Sequence, residues 1–320
     1  MLIRRALIRT SRRGSRSNSG QGSRSLSGFV ETEKTSKLAR TRKFLARAVI
    51  AGMSAVAVAV IGSLIMMPAD NPAFDSSSRE IKRDLARMEA DPVGLARPVI
   101  VLSGYRGHSG AARDLAAKIR ELTGASEEEV ITLSYMFDGT IEEPARKLVA
   151  LVEEHFPSRD GRWTAEVDIV AISMGGLVAR LAAADPVLRD EPADGDAREA
   201  RRLNIHAIYT LATPHRGASL ADRVSVDAAS EAMAPGSAFL EMLDEQLESA
   251  SYTIVPYAVL RDRWVGAERT APWGQDPIWV AGRMARSHHM VSKDARIQAD
   301  LARRLRDEKP LASPSKPPQS

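Results

Sequence analysis

The run Val167-Asp168-Ile169-Val170-Ala171-Ile172-Ser173-Met174-Gly175-Gly176-Leu177-Val178-Ala179-Arg180 leaves this chain fewer folding choices than any other part of it. An apolar, β-branched stretch stops at a serine, small residues flank it, and an apolar pattern of helical period begins at once. A strand that becomes a helix across one residue needs close backbone approach, which small neighbours permit. The turn pushes the serine oxygen out over the end of the sheet. The positive end of the following helix then favours negative charge developing there. The usual spacing is G-x-S-x-G, and Ala171 stands where the first glycine would be; alanine is still small enough for the turn. A serine that merely caps a helix after a strand gives the same local string, so the rest of the chain must supply what a nucleophile needs. On this reading Ser173 is the candidate nucleophile.

Around this string, strand and helix patterns alternate, which is the signature of a mostly parallel sheet flanked by helices. Strands are predicted at 98–102, 129–135, 167–172, 205–211, 252–260 and 277–281, and helices at 110–122, 142–155, 174–184 and 292–306. A helical excursion over 217–250 separates the fourth and fifth strands. No internal repeat is present.

A serine needs a general base, and the base needs an orienting acid. Of six histidines, His155 and His206 fall in a helix and at a strand start, and His108 falls in the loop after the first strand, the wrong place for a base. His215, in Leu211-Ala212-Thr213-Pro214-His215-Arg216-Gly217, reads as structural, its ring bonding backbone. The pair His288-His289 lies after the last strand and before the last helix, which leaves it as the source of the base. Adjacent side chains of an extended loop point in opposite directions, so only one of the pair can reach Ser173. The acid is expected after the penultimate strand, where Asp262 stands in Arg261-Asp262-Arg263-Trp264-Val265; Asp276 is the alternative. Ser173, Asp262 and His288 then follow the order Ser…Asp…His. The loop Ser103-Gly104-Tyr105-Arg106 and the residue after the nucleophile are expected to supply two oxyanion N–H groups, assigned to Tyr105 (with Arg106 as the alternative) and Met174.

Charge is divided along the chain. Residues 1–47 hold 13 Lys and Arg against two acids, leaving 32 basic and 39 acidic residues beyond them. The basic arm is Arg-, Ser- and Gly-rich and predicted disordered. The domain beyond shows no basic, aromatic-interleaved stripe for nucleic acid. From Ala48 to Met67 runs an uncharged stretch of 20 residues, about 30 Å long as a helix, enough to cross a bilayer. It reads as a transmembrane or signal-anchor helix, with the following domain on the non-cytoplasmic side. Cleavage and secretion, or mitochondrial import directed by the Arg-rich start, are the alternatives. Residues 68–96 read as a polar linker with one short charged helix, 97–308 as the folded domain, and 309–320 as a disordered tail. The absence of cysteine excludes disulfides, a thiolate nucleophile and Cys-based metal sites.

Three strings then resemble one family. I-S-M-G-G-L-V-A-R (172–180), L-A-T-P-H-R-G-A (211–218) and A-M-A-P-G-S-A-F-L-E-M-L (232–243) are similar, in that order, to the lipase and esterase branch of the α/β-hydrolases, including triacylglycerol lipases and glycosylphosphatidylinositol inositol-deacylase-like proteins. The resemblance spans roughly residues 97–306. It implies an α/β-hydrolase fold with a helical cap at 217–250, and hydrolysis of carboxylic esters, lipid or acyl, through an acyl-enzyme without metal or cofactor. It carries the nucleophile to Ser173, the base to His288 or His289, and the acid to Asp262 of a D-x-x-V pattern. In similar lipases and esterases an apolar residue often follows the base by three positions, which favours His288, followed so by Val291, over His289, followed so by Ser292. Two other functions fit the same residues: an acyltransferase using the same triad, and an inactive, membrane-tethered binding protein.

Overall fold

A computed structural model describes residues 43, 47, 49–54, 72–105, 109–135, 139–189, 201–219, 221, 227–282 and 287–318. The chain divides into two units, Met1–Met67 and Pro68–Ser320. In the first, residues 49–54 are helical; the rest of the expected 48–67 span, and nearly all of the basic arm, lie outside the described residues. Among the described residues no helix is long and apolar enough to cross a membrane.

The second unit is built on six strands: β1 Val99–Leu102, β2 Val130–Leu133, β3 Val167–Ile172, β4 Ile205–Leu211, β5 Thr253–Val259 and β6 Ile278–Val280. They run parallel in the order β2-β1-β3-β4-β5-β6. β1 and β3 are buried at every residue, which is why each reads as a continuous apolar run rather than an alternating one. Successive residues feed opposite faces. Ile100, Leu102, Ile169 and Ala171 pack with one cluster; Val99, Val101, Val170 and Ile172 pack with another. The chain passes from β1 outward to β2 and then returns to the other side of β1 as β3. The loops leaving β1 and β3 therefore diverge over the carboxyl ends of two adjacent strands, where open parallel sheets bind ligands.

Helices cover both faces. α1 is Ser78–Ala90, α2 Ser109–Thr123, α3 Glu142–His155, α4 Gly175–Ala183, α5 Ala228–Ala232, α6 Ala238–Glu248, α7 Ser287–Met290 and α8 Ala295–Leu305. α3 and α4 bury Leu148, Val152, Leu177 and Leu181 on one face; α2 and α8 bury Leu115, Ile119, Ile297 and Leu301 on the other. Within the expected cap, α6 joins the α3–α4 layer through Leu240 and Leu243. It is tied to α4 by an ion pair between Arg180 and Asp244 at 2.8 Å.

Three expectations are revised. Residues 72–96 do more than link: α1 opens with a Ser77–Glu80 capping box and buries Ile81 and Met88 against Leu122, Ala299 and Ala302. The Arg306 guanidinium donates to the carbonyls of Met88, Leu122 and Asp91, sealing the joint. The tail is likewise held. Leu311 and Ala312 N–H groups donate to the buried Asp300 carboxylate, and the Trp279 indole N–H donates to the Ser315 carbonyl at 2.8 Å. Composition predicts disorder only where the polar backbone finds no partner, and here the domain supplies one. Finally, the histidine pair sits on the short helix α7 rather than in an extended loop. A 3-10 turn, Val291–Lys293, then leads into α8 under an Asp294 cap.

Candidate active site

Ser173 leaves β3 with φ of 53°, a left-handed conformation that costs a non-glycine residue about 1–3 kcal/mol. The surroundings enforce it. The Ser173 N–H donates to the Leu211 carbonyl at 2.8 Å, and its carbonyl accepts from the Thr213 hydroxyl at 2.7 Å. The two glycines that follow are spatial requirements. A Cβ on Gly175 would lie 2.8 Å from the Ser103 carbonyl oxygen, and one on Gly176 would lie 2.5 Å from Thr213 Oγ1. Ala171 escapes this constraint because it still lies in the strand, in register with Leu102 and Thr210. The opposite wall comes from the loop leaving β1, where a Cβ on Gly104 would stand 3.0 Å from that of Ser173.

The β5 and β6 ends bring up the other two groups. Arg261, with φ of 63°, turns the chain so that Asp262 points back over the sheet. Its Oδ1 accepts from the N–H groups of Trp264 (2.8 Å) and Val265 (3.2 Å), and its Oδ2 lies 2.8 Å from His288 Nδ1. His288 Nε2 lies 2.9 Å from Ser173 Oγ. Burial pushes the Asp262 carboxyl upward, but the His288 hydrogen bond and charge and the two backbone donors outweigh it and hold the group below its usual range. An ionised carboxylate only accepts, so Nδ1 carries the proton and Nε2 is left to accept from the serine hydroxyl. The three side chains form one continuous chain of hydrogen bonds, with Asp262 shielded at its far end.

At the other edge of Ser173, Met174 is the N-cap of α4, and no described residue accepts from its N–H. Tyr105 follows Gly104 directly, and its phenol donates to Asp227 Oδ2 at 2.7 Å. Asp227 caps α5, so α5 is the part of the expected cap segment that reaches this edge. Arg106 and His108 lie outside the described residues.

The remaining sequence candidates fall elsewhere. His215 is fully buried, and its ring meets side chains, Arg180 Nη1 and Thr210 Oγ1 at 3.2 Å each, rather than backbone. Burial, then the charges of Arg180 and Arg216, hold it well below the usual imidazole range. Asp276 pairs with Lys316 at 3.2 Å. His289 is exposed and turns its ring toward Trp264. Among the described residues no group of three or more His, Asp or Glu could hold a metal ion. Sequence reasoning missed Trp264, Asp227 and Thr213, whose parts depend on contacts between distant loops.

Residues 109–247 match the family described as "Putative serine esterase (DUF676)". The match runs from α2 through α6 and contains the Ser173 turn; Asp262 and His288 lie beyond it. Over that stretch the chain is similar to a serine esterase family. Among solved structures similar to this chain is "Phospholipase PlaB from Legionella pneumophila", 16% identical with a TM-score of 0.38, covering 52% of this chain and 40% of that one. A "putative cell surface hydrolase from Lactobacillus plantarum WCFS1" is 14% identical with a TM-score of 0.39, covering 67% of this chain and 92% of that one. The chain thus spans under half the length of the first of these. No curated protein matches it.

Proposed function

We propose that this protein is a hydrolase that cleaves carboxylic esters through an acyl-enzyme on Ser173, with His288 as general base and Asp262 as its orienting acid. The observation that carries the reading is the chain Ser173 Oγ–His288 Nε2–His288 Nδ1–Asp262 Oδ2, at 2.9 and 2.8 Å. In the first half-reaction, His288 Nε2 takes the hydroxyl proton as Ser173 Oγ bonds to the ester carbonyl carbon. The negative charge gathers on the carbonyl oxygen, between the Met174 and Tyr105 N–H groups. Collapse expels the alcohol, which receives the proton from His288. Water then repeats the sequence on the acyl-enzyme and releases the acid. One oxyanion donor in such a site is worth about 3 kcal/mol of transition-state stabilisation.

A lipid or other acyl ester fits best. Trp264 and Trp273, on the β5–β6 connection that carries Asp262, are 46% and 69% exposed and give this end of the sheet an apolar border. The 48–67 stretch, following an arm with 13 basic residues and two acids, suits attachment to a membrane with the hydrolase on the non-cytoplasmic side. Carbonate extraction and protease protection test that attachment; full-length protein recovered soluble in the cytoplasm contradicts it. The test of function is hydrolysis of p-nitrophenyl esters of increasing acyl length, with His288→Ala and His289→Ala alongside. Turnover that His288→Ala lowers at least about a thousandfold, and His289→Ala does not, supports the reading. Failure to turn over any ester refutes it, and turnover only with an added alcohol as acyl acceptor favours an acyltransferase.

A further inference from the structure

Trp264 lies two residues after Asp262 and faces the His288 ring, with ring centroids 6.0 Å apart and planes within 6° of parallel. Its backbone N–H is one of the two that hold Asp262 Oδ1. The same residue therefore fixes the acid with its main chain and sets its ring parallel to that of the base. His289 meets the indole edge-on, at 4.9 Å and 75°. Trp264 is 46% exposed, whereas the His288 side chain is only 10% exposed.

We infer that Trp264 is a positioning residue for the base, holding the His288 ring in plane and stabilising the imidazolium that forms when Ser173 gives up its proton. The inference rests on the reading of His288 as base. The geometric part follows from counting constraints. Hydrogen bonds at Nδ1 and Nε2 fix the two ends of the imidazole but leave it able to swing about the line joining them; a parallel aromatic surface removes that motion. Offset-parallel rings at this separation attract one another. The electrostatic part follows from timing. The proton passes from Ser173 Oγ to Nε2 as the Oγ–carbon bond forms, so the ring is cationic in the transition state and neutral before it. An indole face attracts a cation within about 6 Å, and attraction that appears only in the transition state raises kcat rather than lowering KM.

Steady-state kinetics of the full chain on p-nitrophenyl acetate, whose acyl group is too small to need a long pocket, test this with Trp264→Leu and Trp264→Phe. Leucine keeps apolar cover but has no ring; phenylalanine restores an aromatic face. The expected result is a kcat about tenfold lower in Trp264→Leu, with KM within about twofold of wild type, and recovery to within about threefold in Trp264→Phe. Wild-type kcat in Trp264→Leu, or equal loss in both variants, overturns the inference. A raised KM with unchanged kcat also overturns it, making Trp264 a substrate wall instead. Thermal melts accompany each variant; should leucine cost the fold, Trp264→Met, apolar and without a ring, replaces it. His288→Ala is measured in the same assay: full activity there refutes the base itself, separately from Trp264.

Discussion

Gly282 is where the two arms of the triad meet, and replacing it with alanine should disable the site from outside it. A Cβ at this position would lie 1.5 Å from the Leu260 carbonyl oxygen and 2.7 Å from Ser287 Oγ. Leu260 stands two residues before Asp262 and is bound to β6 by its N–H to the Val280 carbonyl at 2.9 Å; Ser287 adjoins His288. Real Cβ contacts do not fall below 3.0 Å, so β5 and β6 must part by about 1.5 Å at their ends, and a shift of about 1 Å in catalytic geometry costs on the order of a hundredfold. We therefore expect kcat/KM for p-nitrophenyl acetate to fall at least about a hundredfold in Gly282→Ala, with about 1–3 kcal/mol of stability lost to overpacking. Circular dichroism and urea unfolding establish that the variant is folded and by how much it is weakened. A folded Gly282→Ala with kcat/KM within fivefold of wild type would refute the reasoning, because the loops carrying Asp262 and His288 would then be independent of that contact.

Two further outcomes concern stability. His215 is held well below its ordinary value of 6.5 in the folded protein, by burial and by Arg180 and Arg216. The unfolded chain takes up a proton below about pH 6.5 that the folded one refuses, so stability should fall on acidification by up to about 1.4 kcal/mol per pH unit until the folded value is reached. His215→Gln should flatten that slope in urea unfolding at pH 5 to 7, and identical slopes would contradict the assignment. Asp300 accepts from Tyr257, Arg304, Leu311 and Ala312; Asp300→Ala should cost about 3–5 kcal/mol and expose the chain after Lys309 to proteases. An equally resistant tail in the variant would show that its anchor lies elsewhere.

What could be read from the chain itself divides along physical lines. The strands β1 and β3 are legible because burial on both faces forces continuous apolar runs, and the Ser173 turn is legible because its close contacts demand small residues at fixed positions. Asp262 and His288 follow from chain order once those strands are placed. The docking of α1 and of residues 311–315 is not legible, since it depends on a few long-range partners that composition averages away: Leu122, Ala299, Ala302 and Arg306 for α1, and Asp300 and Trp279 for the tail. The helical turn under His288 was hidden for a related reason: four residues carry too little periodicity to mark a helix. Trp264 sat in plain view beside Asp262, but only the folding of the β6–α8 connection sets His288 against its face.

The central claim is that Ser173 is the nucleophile, and covalent labelling tests it most directly. The full chain is incubated with a fluorophosphonate, and the modified residue is located by peptide mass spectrometry. The account predicts one adduct per chain, on Ser173, with no adduct and no ester hydrolysis above a few per cent of wild type in a folded Ser173→Ala. An adduct on another residue, or ester hydrolysis that survives in Ser173→Ala, would contradict it.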